Sequence, residues 1–386
     1  MKIAWFCIPA HGHTNPTLGL VKLLTKMGHE VYYFSFEMFR EKIESAGAHF
    51  IGCDGCDLQP DGAQSDKVGK DLAVSTELIV SSTLALDDMV SQKAAEIAPD
   101  IIVSDSVAFW GKLTAIKYNI PYVSSTTTFA FNSASAKYMK TGLGDAFKML
   151  ASMPKVNKQL KRLRDKGYPV KSILDIIQND NDTNTIVYTS EYFQPYCDTF
   201  SDKYCFIGPS IRPVENPIEK TADKTVFISM GTVVKDSALY NNCIAALKDT
   251  GYQVIVSTGK SEVDGAELPD NVQIYEYVDQ MAALSISDVF ITHCGMNSAS
   301  EGLYFGVPLI LCPQTQEQEA VARRTEELGA GIRPKSAAPQ DILNAAEQAL
   351  GDGKYKAAAE KISDSFKHSG GYAKALAFLE NIERAQ

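Results

Sequence analysis

The sequence predicts an α/β protein built from two open parallel sheets in tandem. Short apolar runs rich in β-branched residues alternate with helical patterns from end to end, the mark of βαβ units with ligands at the strand carboxyl ends. That series runs twice, broken once by the proline- and charge-bearing stretch "FIGPSIRPVENPIEKTADK" at 206–224. A length of 386 residues also exceeds one comfortable core, since domains cluster near about 100 to 200 residues.

In chain order, "KIAWFCI" reads as a strand and "TLGLVKLLTKMG" as a helix, and "EVYYFSF", "DIIVSD" and "PYVSSTT" continue the strands. The stretches at about 55–85 and 125–180 mix Gly, Ser, Lys, Met and Phe, and are read as less regular insertions, either pocket-lining loops or surface helices. The second series is "TVFISMG", "YQVIVSTG", "NVQIYEY", "DVFITHCG" and "PLILCP", followed from about Gln340 by helical sequence with a Gly-Gly break at 370 and 371. The expected division is a first Rossmann-like domain at 1–210, a linker at 211–224, a second Rossmann-like domain at 225–370, and a C-terminal helix at 371–386 packing back on the first domain.

Composition narrows the function. The net charge of -10, without a dense Lys/Arg cluster, argues against a nucleic-acid surface and for a small ligand. No run approaches the roughly 18 apolar residues of a spanning helix, and the apolar start is too short for a signal-peptide core. Eight cysteines are too sparse for a disulfide framework, so a reducing cytoplasm is expected. "CDGC", Cys53 to Cys56, is a lone C-x-x-C without the second pair that a zinc site needs.

"CIPAHGHTNP", residues 7–16, puts two histidines at the end of the first strand. Asn15 is expected to cap the following helix, Pro16 to fit its first turn and Gly28 to end it. A histidine placed there suits general-base work, and Asp105, at the end of another strand of the same sheet, can hold the far imidazole nitrogen. One histidine suffices, and the residues alone do not choose between His11 and His13. A shared metal is not expected: His29, His49 and His368 lie in helix-edge or loop contexts, leaving too few ligands.

The densest constellation is "THCGMNSASEGLYFGVPLILCPQTQEQ", Thr292 to Gln318. A strand delivers His293 to its end, Gly295 lets the backbone turn, and Asn297 and Ser298 stand at a helix start, where backbone N–H groups can hold a diphosphate. Glu301, one turn on, is placed to accept from ribose hydroxyls.

With these residues the sequence resembles the family-1 glycosyltransferases, or UDP-glycosyltransferases, in their bacterial macrolide-glycosyltransferase branch. "AHGHTNP" is similar to the family's N-terminal loop, and the 292–318 segment to its signature. The resemblance implies the GT-B fold, two facing Rossmann-like domains with a C-terminal helical segment. It implies that His293, Gly295, Asn297, Ser298 and Thr232 hold the donor diphosphate, Glu301 the ribose, and Glu317 and Gln318 the sugar hydroxyls. In "YVDQ", Tyr277, Val278 and Gln280 would face the nucleoside, with Tyr277 stacking where the family usually has a tryptophan of larger area. Gly12 would pass close to the donor phosphate.

The resemblance selects His11 as the base and Asp105 as its partner, and leaves His13 to brace the loop. Phe109, Trp110 and Phe129 are the aromatic candidates for acceptor contact, with Phe131 beside them. The implied reaction is inverting, metal-independent transfer of a hexose, glucose first, from a UDP-sugar co-substrate to a small lipophilic alcohol, without a cofactor. A sugar-nucleotide epimerase and a non-catalytic sugar-nucleotide-binding partner protein are the alternatives. Mere binding would need neither His11 nor Asp105.

Overall fold

The computed structural model describes residues 1–54, 71–132, 134–135, 143–177, 179, 181–231, 236–259, 261–263 and 269–384. Thr232 and Cys56 therefore lie outside the described residues. The chain forms two compact units, 1–188 with 196–207 and 370–386, and 189–195 with 208–369.

The first unit is built on a parallel sheet of β1 (Lys2–Phe6), β2 (Glu30–Ser35), β3 (His49–Gly52), β4 (Ile101–Asp105), β5 (Tyr122–Thr126), β6 (Thr185–Val187) and β7 (Tyr204–Phe206). Its order is β3-β2-β1-β4-β5-β6-β7. Near-continuous apolar runs suit strands covered on both faces, and "IIVSD" is buried at every position. Trp5 and Tyr33 join one core with Leu20 and Val21 of α1 (His11–Lys26). On the opposite face Phe6 stacks on Phe34 at 4.3 Å.

The start of α1 differs from expectation. Its N-cap is Ala10, in extended conformation and without a side-chain cap, so Asn15 and Pro16 lie inside the helix. Pro16 lacks an N–H and cannot donate one turn back, yet it sits near enough the start for the helix to continue. His11 is thus the first helical residue and His13 the third.

After α2 (Arg40–Ser45), the less regular stretch takes the helical of its two expected forms from 72 onward, as one long helix, α3 (Leu72–Ile97). Asp71 nucleates it, its carboxylate accepting from Ala73 N at 2.9 Å and Val74 N at 3.4 Å. Then come α4 (Phe109–Tyr118), α5 (Leu143–Asp165) and α6 (Leu174–Ile177). Val80 of α3, Leu113 of α4 and Val156, Leu160 and Leu163 of α5 close a separate apolar cluster. The mixed composition hid these helices because their polar residues face solvent or one another: buried Asp87 accepts from Lys117 Nζ at 2.7 Å and from the Tyr168 hydroxyl at 2.6 Å.

The second unit repeats the plan with β8 (Thr225–Ser229), β9 (Gln253–Ser257), β10 (Val272–Tyr275), β11 (Val289–Thr292), β12 (Leu309–Leu311) and β13 (Gly331–Ile332), in the order β10-β9-β8-β11-β12-β13. Its helices are α7 (Ser237–Leu247), α8 (Gln280–Ile286), α9 (Met296–Tyr304), α10 (Gln316–Glu327), α11 (Pro339–Gly351) and α12 (Gly353–Lys367). Residues 189–195, expected in the first domain, belong here. Arg324 holds them by donating to the carbonyls of Tyr192 at 2.8 Å and Phe193 at 3.0 Å, and the Phe193 ring meets Phe366 edge-on.

α13 (Gly371–Arg384) belongs to the first unit, where Ala375 and Leu379 join the α1 core. Close approach is possible because α1 presents Gly19 to the Tyr372 ring; a Cβ there would stand 2.4 Å from the ring. Gly19→Leu is expected to cost about 2 kcal/mol by overpacking, measured by urea unfolding. Unchanged stability would mean that α13 docks without this contact.

In each sheet the strand order reverses beside the first strand, between β1 and β4 and between β8 and β11. Such switch points open a crevice at the strand ends, where ligands of open α/β sheets bind. Among the described residues no helix is long and apolar enough to cross a membrane.

Candidate active site

At the switch point of the first sheet, β4 ends on Asp105, whose side chain is fully buried. Asp105 Oδ1 accepts from Val107 N at 3.0 Å. Its Oδ2 lies 2.7 Å from Nδ1 of a histidine, and that histidine is His13, not His11. Thr127 Oγ1, just beyond β5, stands 3.3 Å from the same nitrogen. A carboxylate only accepts, so Nδ1 carries the proton and donates it, and the ring's lone pair is on Nε2.

The expected pairing of Asp105 with His11 is therefore corrected. With the helix starting at residue 11, His11 occupies an exposed first position, its ring edge-on to Phe39 at 5.0 Å. Burial and the nearby Lys42 charge lower its pKa. The third position, held by His13, is the one that meets β4. The two histidines face different neighbours, and the described residues contain no group of three or more His, Cys, Asp or Glu side chains arranged to hold a metal ion.

The aromatic acceptor candidates are also revised. Trp110 and Phe129 are 4% and 2% exposed and belong to the core, and half-buried Phe109 packs against the α3–α5 cluster. Phe131, by contrast, is exposed.

At the second switch point, β8 leads into Gly231 and β11 into His293. Met230 N donates to the buried Tyr240 hydroxyl at 2.8 Å, which fixes the end of β8. Gly231 has φ +73°, and a Cβ there would stand 2.6 Å from His293 Cε1. A Cβ on Gly295 would stand 2.6 Å from His293 Nε2. The imidazole is thus cradled between two glycine backbones. Sequence reading found Gly295 but missed Gly231, although "ISMG" ends a strand on the glycine that such a close approach needs.

Burial pushes the His293 pKa down to about 4, the Ser229 backbone opposing part of that shift, so the ring is neutral at physiological pH. Among the described residues its buried Nδ1 has no partner of hydrogen-bonding geometry. Cys294 carries φ +65°, unusual for a residue with a side chain, and the strained turn aims the chain into α9. Gly295, which has no side chain to cap with, opens α9, whose first turn carries Asn297 and Ser298. A neutral imidazole beside such a helix start can receive an anion without metal.

One turn further, Glu301 accepts a short hydrogen bond from Gln280 Nε2, which also lies 3.5 Å from Ser298 Oγ. Burial raises the Glu301 carboxyl to about 7 against the opposing pull of Gln280 and the Arg212 charge. A folded-state pKa above the unfolded value of 4.5 gives stability that is present at low pH and lost as pH rises through about 7. Glu301→Gln is therefore expected to melt above the parent protein at pH 8.5 and level with it at pH 5, without ligand; an equal difference at both pH values would contradict this.

Gln318 sits at the third position of α10 in a capping box, its Oε1 accepting from Gln314 N at 2.8 Å and Thr315 N at 3.2 Å. Its amide oxygen is thus committed to the backbone, which revises the expected sugar contact to the amide nitrogen alone. Glu317 is exposed beside it, as is Tyr277, while Val278 is half-buried.

These two sheets and their switch-point histidines define a glycosyltransferase of the GT-B fold, and known proteins agree. The family model described as Erythromycin biosynthesis protein CIII-like, C-terminal domain, matches residues 241–369. "Uncharacterized UDP-glucosyltransferase YdhE" of Bacillus subtilis (strain 168) is 33% identical over 93% of this chain and 92% of its own length. "NDP-glycosyltransferase YjiC" of Bacillus licheniformis is 32% identical over 98% and 96%. The crystal structure of the glycotransferase of kitacinnamycin shares the fold with a TM-score of 0.85 at 23% identity, covering 99% of this chain and 98% of that one. The chain belongs to the family-1 glycosyltransferases, in their macrolide-type branch.

Proposed function

We propose that the protein transfers a hexose, glucose first, from a UDP-sugar to a hydroxyl of a small lipophilic acceptor such as a macrolide or polyphenol, with inversion and without a metal or cofactor. The observation that carries this reading is the 2.7 Å pair of His13 and Asp105 at the first switch point. His13 Nε2 takes the acceptor hydroxyl proton while that oxygen attacks the anomeric carbon; the bond from that carbon to the phosphate oxygen breaks, and UDP leaves with its electrons. Asp105 holds the ring orientation and stabilises the imidazolium. The leaving diphosphate is received by His293 and the first turn of α9, with Thr232 assigned to it by resemblance. Glu301 binds the ribose, Tyr277 stacks on the base, and Glu317 and the Gln318 amide nitrogen meet the sugar.

The name of the Bacillus subtilis relative supports UDP-glucose, whereas another solved relative of this fold was crystallised with dTDP. A cytoplasmic enzyme fits the cysteine content. The test is incubation with UDP-glucose or dTDP-glucose and a panel of hydroxylated aromatics and macrolides, with and without EDTA, read by mass. A hexose adduct formed from UDP-glucose in EDTA supports the reading. Conversion of UDP-glucose to another UDP-sugar without acceptor would instead establish an epimerase.

A further inference from the structure

Asp279, immediately before α8, divides its carboxylate between two segments of the second unit. Oδ1 caps the helix, accepting from Met281 N at 3.1 Å and Ala282 N at 3.4 Å. Oδ2 accepts from Glu215 N and Asn216 N, both at 3.1 Å, in the irregular stretch before β8. Burial opposes ionisation here, but these four backbone N–H groups outweigh it and hold the carboxyl below its usual range. The side chain is thus a fixed, fully engaged anion at neutral pH.

Both segments that it joins act on Glu301. The next residue, Gln280, gives its amide to Glu301 and approaches Ser298. Arg212, in the tethered stretch, supplies the positive charge that favours the ionised Glu301, and Asp279 itself weighs against it. Nothing in Asp279 needs to touch a ligand for it to govern how Glu301 is presented.

We propose that Asp279 is a positioning residue of the ribose site: by tying the 215–216 stretch to the start of α8 it sets the Gln280–Glu301 pair, and through that pair the preference for a nucleoside diphosphate bearing a 2′-hydroxyl. The inference rests on the reading of Glu301 as the ribose acceptor. Loss of a hydrogen bond to a charged group is worth about 1.5–3 kcal/mol, so the parent protein should bind UDP at least about tenfold more tightly than 2′-deoxy-UDP.

Titration calorimetry of both nucleotides against the parent, Asp279→Ala and Asp279→Asn tests it. Asp279→Ala should bring the two affinities within about twofold of each other, and Asp279→Asn, which keeps one accepting oxygen, should recover part of the preference. General loosening of the unit would weaken both nucleotides alike and leave their ratio intact. A preference retained in both variants overturns the positioning role. A parent protein that does not discriminate overturns the ribose reading of Glu301, and this inference with it.

Discussion

His13→Ala is expected to lower kcat by about 10²- to 10⁴-fold, the range that a positioned general base contributes, while His11→Ala changes it by a small factor. The difference rests on geometry. His13 directs Nδ1 at Asp105 from 2.7 Å and so carries a fixed tautomer, whereas His11 is an exposed residue whose ring meets only the edge of Phe39 in the described contacts. Donor affinity should be nearly unchanged in His13→Ala, because every side chain assigned to the donor belongs to the second unit and Gly12, the one donor assignment in the first, offers only its backbone. Asp105→Asn should also lower kcat: an amide can turn its N–H₂ towards Nδ1, favour the other tautomer and take the lone pair away from Nε2. Steady-state kinetics of the three variants with one accepted alcohol decide the assignment. If His11→Ala were the crippled enzyme and His13→Ala the active one, the Asp105 pair would be a structural contact and the base would lie elsewhere.

The exchange of roles between the two histidines shows where sequence reading stops. The strands with continuous β-branched runs, such as "IIVSD" and "TVFIS", were legible because burial on both faces leaves no room for polar alternation. β6 and β7, three residues each, and β13, two residues, are too short to carry a pattern and exist because neighbouring strands offer them an edge. At the first loop, Asn15-Pro16 looked like a helix start by capping preference, but the chain begins its helix at His11 without any cap. That shift of about one turn decides which histidine faces β4, and no local preference encodes it. Aromatic residues misled for a related reason: Trp110 and Phe129 fill the core around the same strand ends that expose Val107 and Phe131.

The second site was more legible, since a helix start, a strand-end histidine and an acidic residue one turn on leave a spaced pattern in one continuous segment. What the pattern could not carry was partnership across the fold. Gln280 and Glu301 were each assigned to the nucleoside, but their hydrogen bond joins residues 21 positions apart and appears only when α8 and α9 are placed together. Likewise the capping box that occupies the Gln318 oxygen could be read from Thr315 and Gln318, three residues apart, had the helix start been located there.

Gly231→Ala is expected to raise the dissociation constant for UDP by about 10- to 100-fold, the cost of losing one hydrogen bond to a charged group, with a lower melting temperature as well. Two effects coincide at this position. The left-handed φ of +73° costs a residue with a Cβ roughly 1–2 kcal/mol. The added methyl also falls 2.6 Å from His293 Cε1 and 2.8 Å from Nε2, and a ring that is 8% exposed has no space into which to withdraw. Gly295→Ala separates the two effects: its φ of -59° is unstrained, and its Cβ meets Nε2 at 2.6 Å. It should therefore lose donor affinity like Gly231→Ala but retain more of the melting temperature. Gly251→Ala, where a Cβ meets nothing within 4 Å, serves as the control and should bind UDP normally. Calorimetric binding of UDP and thermal unfolding of the three variants give the result. If both glycine variants beside His293 bound UDP as the parent does, the imidazole would not be the diphosphate contact, and the donor site would have to be built from the helix start alone.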